Sequence, residues 1–164
     1  MSVLDKLDAL GISIAAINPP AANYSPAVVT GNLLFTAGQV CKRDGEMAYK
    51  GKLGADVSNE DGYEAAKLCA ANALAVVHHY GGGLDNVVKI VKATVFVNAI
   101  PDFAGHAYVA NGATDLLVAL FGPEGCPARS AVGMGSLPGR AACEVELIAE
   151  LKVPPVQAHP KALP

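Results

Sequence analysis

The chain has 164 residues, of which 52% are hydrophobic, 16% are charged and 5% are aromatic, with a net charge of −3. This length predicts one domain with a substantial core, and the weakly acidic balance and few aromatic residues argue against binding nucleic acid through a basic surface or by base stacking. So much apolar surface on a short chain predicts a homo-oligomer, in which part of that surface is buried between subunits.

The first predicted elements are a short helix and two strands. Ser2 to Leu10 has amphipathic spacing and is followed by Gly11, a typical helix stop. The strands Ala27–Val29 and Leu33–Gly38 flank a turn at Gly31. A hairpin is therefore expected here.

A long helix and a strand come next. The cap residues at 58–61 start a helix that runs to about Tyr80, where three glycines end it. Because this helix is rich in alanine and lacks a bulky polar face, we expect it to pack on a sheet. The β-branched run Val87–Val97 is the strongest strand signal in the chain.

The last third predicts a second helix and a closing hairpin. The helix is expected from Phe103 to Leu120, and a break near Asn111-Gly112 is an open alternative. The segment Pro127–Leu151 predicts two strands joined by a turn at Pro138-Gly139.

Alternation along the final strand separates acidic from apolar residues. Three glutamates beside an isoleucine suit neither a dry nor a fully solvated surface, which predicts a partly enclosed, water-containing site between subunits. One face carries Glu144, Glu146, Ile148 and Glu150, and the other carries Cys143, Val145, Leu147, Ala149 and Leu151.

Signals for export, membrane insertion and metal binding are missing from the sequence. The acidic amino terminus lacks the basic flank of a signal peptide, and the run at 87–97 is shorter than the ~20 residues of a membrane span. We therefore expect a cytoplasmic protein without membrane contact. No CxxC pair or cofactor motif occurs, which predicts reduced cysteines, no metal and no cofactor. A nucleophilic role for Cys126 would need a base such as His106.

Arg129 stands in a nearly uncharged stretch, fifteen residues before Glu144. A guanidinium binds a carboxylate with two parallel hydrogen bonds, and a carboxylate nearby can orient a water molecule. The pair predicts an anionic small molecule on which water chemistry is performed. An ordinary salt bridge within the hairpin is the competing interpretation.

Three segments carry a resemblance to a known family. They are NYSPAVVTGNLLFTAGQV, NALAVVHHYGGGLDNVVKIVKATVFV, and PARSAV with the later LP and EVELIAEL. From about Tyr24 to Leu151 their order and spacing resemble the Rid (YjgF-type) reactive intermediate deaminases, also labelled endoribonuclease L-PSP, and the start of the chain resembles a longer branch of that family.

The resemblance implies an α+β, chorismate-mutase-like fold in the order β-β-α-β-α-β-β. Its mixed sheet would carry two helices on one face, and its subunits would form a homotrimer with clefts between neighbours. One domain would cover residues 1–152 with an amino-terminal extension at 1–22. The prolines and the lack of periodic pattern at 153–164 predict an extended or disordered tail.

The resemblance also implies roles for site residues. Arg129 matches the arginine that holds the substrate carboxylate, and Glu144 matches the glutamate that contacts the water. The remaining matches line the site: Tyr24 from a neighbouring subunit, the backbone at Ala131 where many members have cysteine, Gly31 in the turn that shapes the entrance, and Asn111 as the nearest candidate for a helix asparagine.

Two functions follow and stay open at this point. The first is hydrolysis of reactive 2-imino or enamino acids to 2-oxo acids and ammonia, without metal or cofactor. The second is binding or sensing of a small carboxylate, such as a 2-oxo acid or amino acid, without turnover. A nuclease or translation-inhibitor role is a third, lesser alternative.

Overall fold

Side-chain caps start the first two helices. In the computed structural model, which describes residues 1–14, 16–17 and 23–155, the Ser2 hydroxyl accepts a hydrogen bond from the N–H of Asp5 at 3.1 Å, and the Asp5 carboxylate accepts one from the N–H of Ser2 at 2.8 Å. The Ser58 hydroxyl likewise accepts from the N–H of Asp61 at 3.0 Å. The helices of the described residues are α1 Val3–Ala9, α2 Asn59–Tyr80 and α3 His106–Phe121.

The third helix begins later than predicted and is continuous. It starts at His106 instead of Phe103, and it runs unbroken through Asn111 and Gly112. Gly112 allows close packing, because a Cβ there would overlap the backbone carbonyl of Tyr63 on α2. The alternative of a break near this glycine is therefore wrong.

The strands of the described residues form one mixed sheet and one small hairpin. They are β1 Ala27–Thr30, β2 Leu33–Thr36, β3 Gln39–Val40, β4 Lys42–Arg43, β5 Glu46–Met47, β6 Val87–Asn98, β7 Ala128–Met134 and β8 Cys143–Leu151. The main sheet has the order β1-β2-β8-β6-β7, β3 pairs with β8, and β4 pairs with β5 outside it. The two-residue strands β3 to β5 were not predicted.

The predicted closing hairpin is wrong, because β6 lies between β7 and β8. Ala93 of β6 is opposite Arg129 in a parallel pair on one side and opposite Leu147 in an antiparallel pair on the other. Helix α3 is the crossover that a parallel pair requires. The turn at Pro138–Arg140 is a short 3-10 turn on the path from one side of β6 to the other.

Helices α2 and α3 cover one face of the sheet, and the predicted alternation along β8 is confirmed. Its odd-numbered residues are buried under the helices, whereas Glu144, Glu146, Ile148 and Glu150 are half-buried on the other face. We call this second face the open face, because no helix of the described residues covers it. The α+β class with a mixed sheet is thus confirmed.

Two sequence expectations lie wholly or partly outside the described residues. Residues 15 and 18–22 of the expected amino-terminal extension, and residues 156–164 of the expected tail, lie outside the described residues. Within the described ranges, no helix is both long and apolar enough to cross a membrane.

Candidate functional site

Arg129 projects from the edge strand β7 toward α3. Its Nη1 donates hydrogen bonds to Oδ1 of Asn111 at 2.7 Å and to Oγ1 of Thr114 at 3.1 Å. Asn111 and Thr114 are three residues apart and therefore share one face of the helix. The structure thus brings together two of the predicted site residues, Arg129 and Asn111.

Both partners of Arg129 are electrically neutral. None of the ion pairs found among the described residues includes this arginine, so the predicted alternative of a hairpin salt bridge is wrong for that part of the chain. A guanidinium has five N–H donors, and the two hydrogen bonds above use only Nη1. The half-buried cation therefore keeps its charge and further donors for an anionic ligand.

The strand that carries Arg129 lies at the edge of the sheet. It pairs with β6 on one side, and no strand of the described residues pairs with its outer side. Ala131 is half-buried two residues beyond Arg129 and shares its face. Edge strands present unpaired backbone N–H and C=O groups, so the backbone near Ala131 is available for a ligand.

Glu144 lies on the opposite face of the sheet from Arg129. Arg129 is opposite Ala93 and Glu144 is opposite Phe96 on the central strand. Residues three apart on a strand point to opposite faces, and paired residues share a face. A single chain therefore does not bring the cation and the carboxylate together.

The Glu144 carboxyl rests against the backbone of Gly38. A Cβ built on Gly38 would overlap Oε1 of Glu144 and lie 2.8 Å from its Cδ, so only glycine leaves room for this side-chain position. Burial raises the pKa of Glu144, and the negative charge of Glu146 raises it further. Such a carboxyl takes up a proton at a less acidic pH than an ordinary glutamate does.

Tyr24 and Gly31 lie at opposite ends of the first hairpin. Tyr24 is 58% exposed, and the nearby Pro26 carbonyl accepts a hydrogen bond from the N–H of Ala37 at 2.8 Å, which places this segment near Gly38. Gly31 has a φ of +57° in the turn between β1 and β2. That turn lies beyond Glu150, six residues and about 20 Å along β8 from Glu144. Within one chain, the segment that follows Tyr24 therefore lies at the Glu144 end of the first hairpin, and Gly31 lies at the other end.

The open face holds a small cavity of about 100 Å³. Nζ of Lys92 donates a hydrogen bond to Oγ of Ser130 at 2.7 Å on this face. Three of its apolar side chains are well exposed: Val28 at 57%, Phe35 at 38% and Val132 at 40%. The cavity is lined by Phe35, Thr36, Lys92, Thr94, Glu146, Leu147 and Ile148.

Three residues near the site were not predicted for it. Thr114 could have been found from its spacing to Asn111, once that helix was known to be continuous. Gly38 and Gly133 carry no signal in a single sequence, because each is required by a side chain from a distant segment: Glu144 at Gly38 and His106 at Gly133.

The cysteines do not contribute to this site. Cys126 is exposed and the other three are buried, and all four are free thiols. His106 stacks edge-on against Phe103 at 5.1 Å, and no contact of His106 with Cys126 is found among the described residues. Within the described ranges, no three histidine, cysteine or acidic side chains are grouped to hold a metal ion.

Comparison with known proteins finds similarity over nearly the whole chain. The family model described as "YjgF/chorismate mutase-like, putative endoribonuclease" matches residues 5–151. Protein TCP17 of Trypanosoma cruzi is 42% identical over 150 residues, which are 91% of this chain and 94% of that protein.

Solved structures also show similarity over most of the chain. Atu1372 of Agrobacterium tumefaciens, described as a protein of unknown function, superposes with a TM-score of 0.85 at 38% identity, covering 92% of this chain and 94% of that one. TdcF of Escherichia coli, solved with bound serine, superposes with a TM-score of 0.55 at 26% identity, covering 84% of this chain and 92% of that one.

Proposed function

We propose that this chain, which belongs to the YjgF/chorismate mutase-like family, forms a homo-oligomer that hydrolyses reactive 2-imino or enamino acids to 2-oxo acids and ammonia. Membership confirms the resemblance to the Rid family and the expected chorismate-mutase-like fold.

The observation that carries the proposal is the neutral setting of Arg129. Asn111 and Thr114 hold its guanidinium in place without neutralising it. A fixed, planar, half-buried cation suits a carboxylate, which it can bind with two parallel hydrogen bonds. The serine bound in the related TdcF is itself a small carboxylate, which supports this ligand class.

A 2-imino acid places the reactive carbon next to such a carboxylate. With the carboxylate on Arg129, the C=N carbon is held in a defined position for attack by water. Glu144 accepts a proton from the water as the C–O bond forms, and returns it to the nitrogen. The hydroxyl proton of the resulting carbinolamine then passes through Glu144 to the departing nitrogen as the C–N bond breaks and the C=O bond forms, which releases ammonia and leaves the 2-oxo acid.

Association of subunits is part of the proposal, because Arg129 and Glu144 lie on opposite faces of one sheet. They can act on one substrate only if different copies contribute them. Glu144 and Tyr24 would come from one copy, and Arg129, Asn111 and the backbone at Ala131 from its neighbour. The partly apolar open face, with Phe35 and Val132 exposed, suits burial between copies.

We expect the purified protein to be a trimer of about three times 16.7 kDa in solution. Apolar groups on the open face leave water when copies associate, which stabilises the oligomer. Light scattering at micromolar concentration measures this mass directly. A protein that stays monomeric at that concentration cannot form the proposed site.

Imine hydrolysis can be measured in an amino-acid oxidase reaction, in which the oxidase produces the 2-imino acid. Adding this protein should speed the decay of the imine absorbance and yield one 2-oxo acid for each imine lost. Unchanged imine decay would contradict the proposed enzyme.

A separate measurement tests the endoribonuclease description of the family. A defined RNA, incubated with protein free of contaminating nucleases, should remain intact.

The second candidate is carboxylate binding without turnover. It is favoured by the separation of Arg129 from Glu144 within one chain, because the cation alone suffices to bind an anion. Carboxylate binding by a protein that leaves imine decay unchanged would select this alternative.

A further inference from the structure

On the side of β7 that faces α3, the side chains become smaller along the strand. Arg129, Ala131 and Gly133 occupy successive positions on this side, opposite Ala93, Val95 and Val97 of the neighbouring strand. Beyond the guanidinium the strand therefore presents one methyl group and then no side chain. We call this helix-facing side of residues 129–133 the lane; Gly133 is exposed, whereas Arg129 and Ala131 are half-buried.

His106, the first residue of α3, closes the far end of the lane. A Cβ built on Gly133 would lie 2.5 Å from its Nε2, and 3.4 and 3.5 Å from Cδ2 and Cε1. The nearly equal distances to the two carbons show that the ring meets the strand end-on through Nε2. Phe103 packs edge-on against the ring, with centroids 5.1 Å apart.

Neither ring nitrogen of His106 has a hydrogen-bond partner among the described residues, although the side chain is half-buried. A ligand that filled the lane would remove water from Nε2. An apolar ligand would leave this nitrogen without a partner, which is costly, whereas a polar group at that point would pair with it. The end of the lane therefore favours a polar ligand group.

The separation of the guanidinium from His106 along α3 limits the size of the ligand. The guanidinium lies at the level of Asn111, its hydrogen-bond partner, and Asn111 is five residues after His106 on α3. Five helical residues rise about 7.5 Å along the axis. This distance fits an acid of about five carbons with a functional group at each end, but not a peptide.

We infer that His106 is a specificity-determining residue, and that the preferred substrates are 2-imino acids whose side chain ends in a polar group, above all a second carboxylate. This inference rests on the proposed function, because it assumes that Arg129 holds the first carboxylate. Glycine is also required at position 133, because any side chain there would displace the imidazole of His106.

Two ligands with five carbons test the inference by titration calorimetry. 2-Oxoglutarate and 2-oxopentanoate share the 2-oxo acid end and differ only in a terminal carboxylate or methyl group. The wild type should bind 2-oxoglutarate about tenfold more tightly or better, since a site that hydrogen-bonds a group discriminates against the analogue that lacks it. His106→Phe should reduce this preference to about one, and leave the affinity for 2-oxopentanoate within about twofold.

Gly133→Ala provides a second variant that keeps the imidazole but moves it, and it should reduce the preference in the same way. His79→Phe, the same change at an exposed position, is the matched control and should keep the wild-type preference. A preference that survives in both His106→Phe and Gly133→Ala would overturn the inference. Equal binding of the two ligands to the wild type would also overturn the inference about His106, but it would leave the proposed carboxylate site in place. If neither ligand binds the wild type, the proposed carboxylate site fails and the inference fails with it.

Discussion

Replacing Arg129 by lysine should weaken the binding of 2-oxobutanoate by about 10- to 150-fold, although the positive charge is retained. Lysine carries a compact charge without the planar fork, so one of the two parallel hydrogen bonds to the carboxylate is lost. A hydrogen bond to a charged group contributes roughly 1.5–3 kcal/mol, which corresponds to this range of affinity. The lysine side chain is also shorter than that of arginine, so it loses the hydrogen bonds by which Asn111 and Thr114 hold Nη1 in place.

Calorimetric titration of the wild type and of Arg129→Lys measures the loss. Arg140→Lys is the matched control, because Arg140 has a side chain that is 78% exposed and lies 4.0 Å from Asp56, away from the site. It should bind the ligand as the wild type does. Equal affinities of Arg129→Lys and the wild type would show that the arginine is not the carboxylate anchor.

Glu144→Gln should lower the rate of imine hydrolysis by about 10²- to 10⁴-fold while ligand affinity changes little. Glutamine is similar in shape but cannot accept the proton from water, and general acid–base catalysis typically contributes this much.

The wild-type rate should also fall on acidification, because the catalytic carboxylate becomes protonated. Since the pKa of Glu144 is raised by burial, this fall should begin at a higher pH than for an ordinary glutamate, and it should be absent from the residual rate of Glu144→Gln.

Rates measured across the acidic pH range, together with calorimetry at neutral pH, check both parts of this prediction. Glu150→Gln is the matched control, because Glu150 lies on the same face of β8 but pairs with Lys89 and Asn32 away from Gly38. Gly38→Ala should also slow turnover, because it displaces the Glu144 carboxyl without removing it. If Glu144→Gln weakened binding as strongly as Arg129→Lys, the division between anchor and proton acceptor would be wrong.

The roles of all six site residues stay predictions that such variants test: Arg129, Asn111, Glu144, Tyr24, Ala131 and Gly31. The structure establishes positions: the guanidinium of Arg129 is hydrogen-bonded to Asn111, and Glu144 faces away from it. Arg129 and Glu144, which the sequence predicted on one hairpin, can therefore meet only when separate copies associate.

Local features of the sequence were sufficient for the first two helices and for the alternation along β8. The hydrogen bond from the N–H of Asp61 to the Ser58 hydroxyl spans three residues, and the alternation from Cys143 to Leu151 follows from strand geometry alone. Such signals depend only on neighbouring residues. They therefore predicted where α2 begins and which side of β8 is buried, but not where α3 begins.

Only the tertiary structure decided which strands pair and which side chains meet. The Pro138-Gly139 turn suggested a hairpin, but pairing across β6 joins segments more than thirty residues apart, and no local residue pattern encodes that choice. Gly112 resembles a helix break until the backbone of Tyr63 is seen beside it. The same holds for Thr114 beside Arg129, for Gly38 under Glu144 and for His106 against Gly133. Each of these contacts depends on packing between segments distant in the chain, which the sequence of one protein does not reveal.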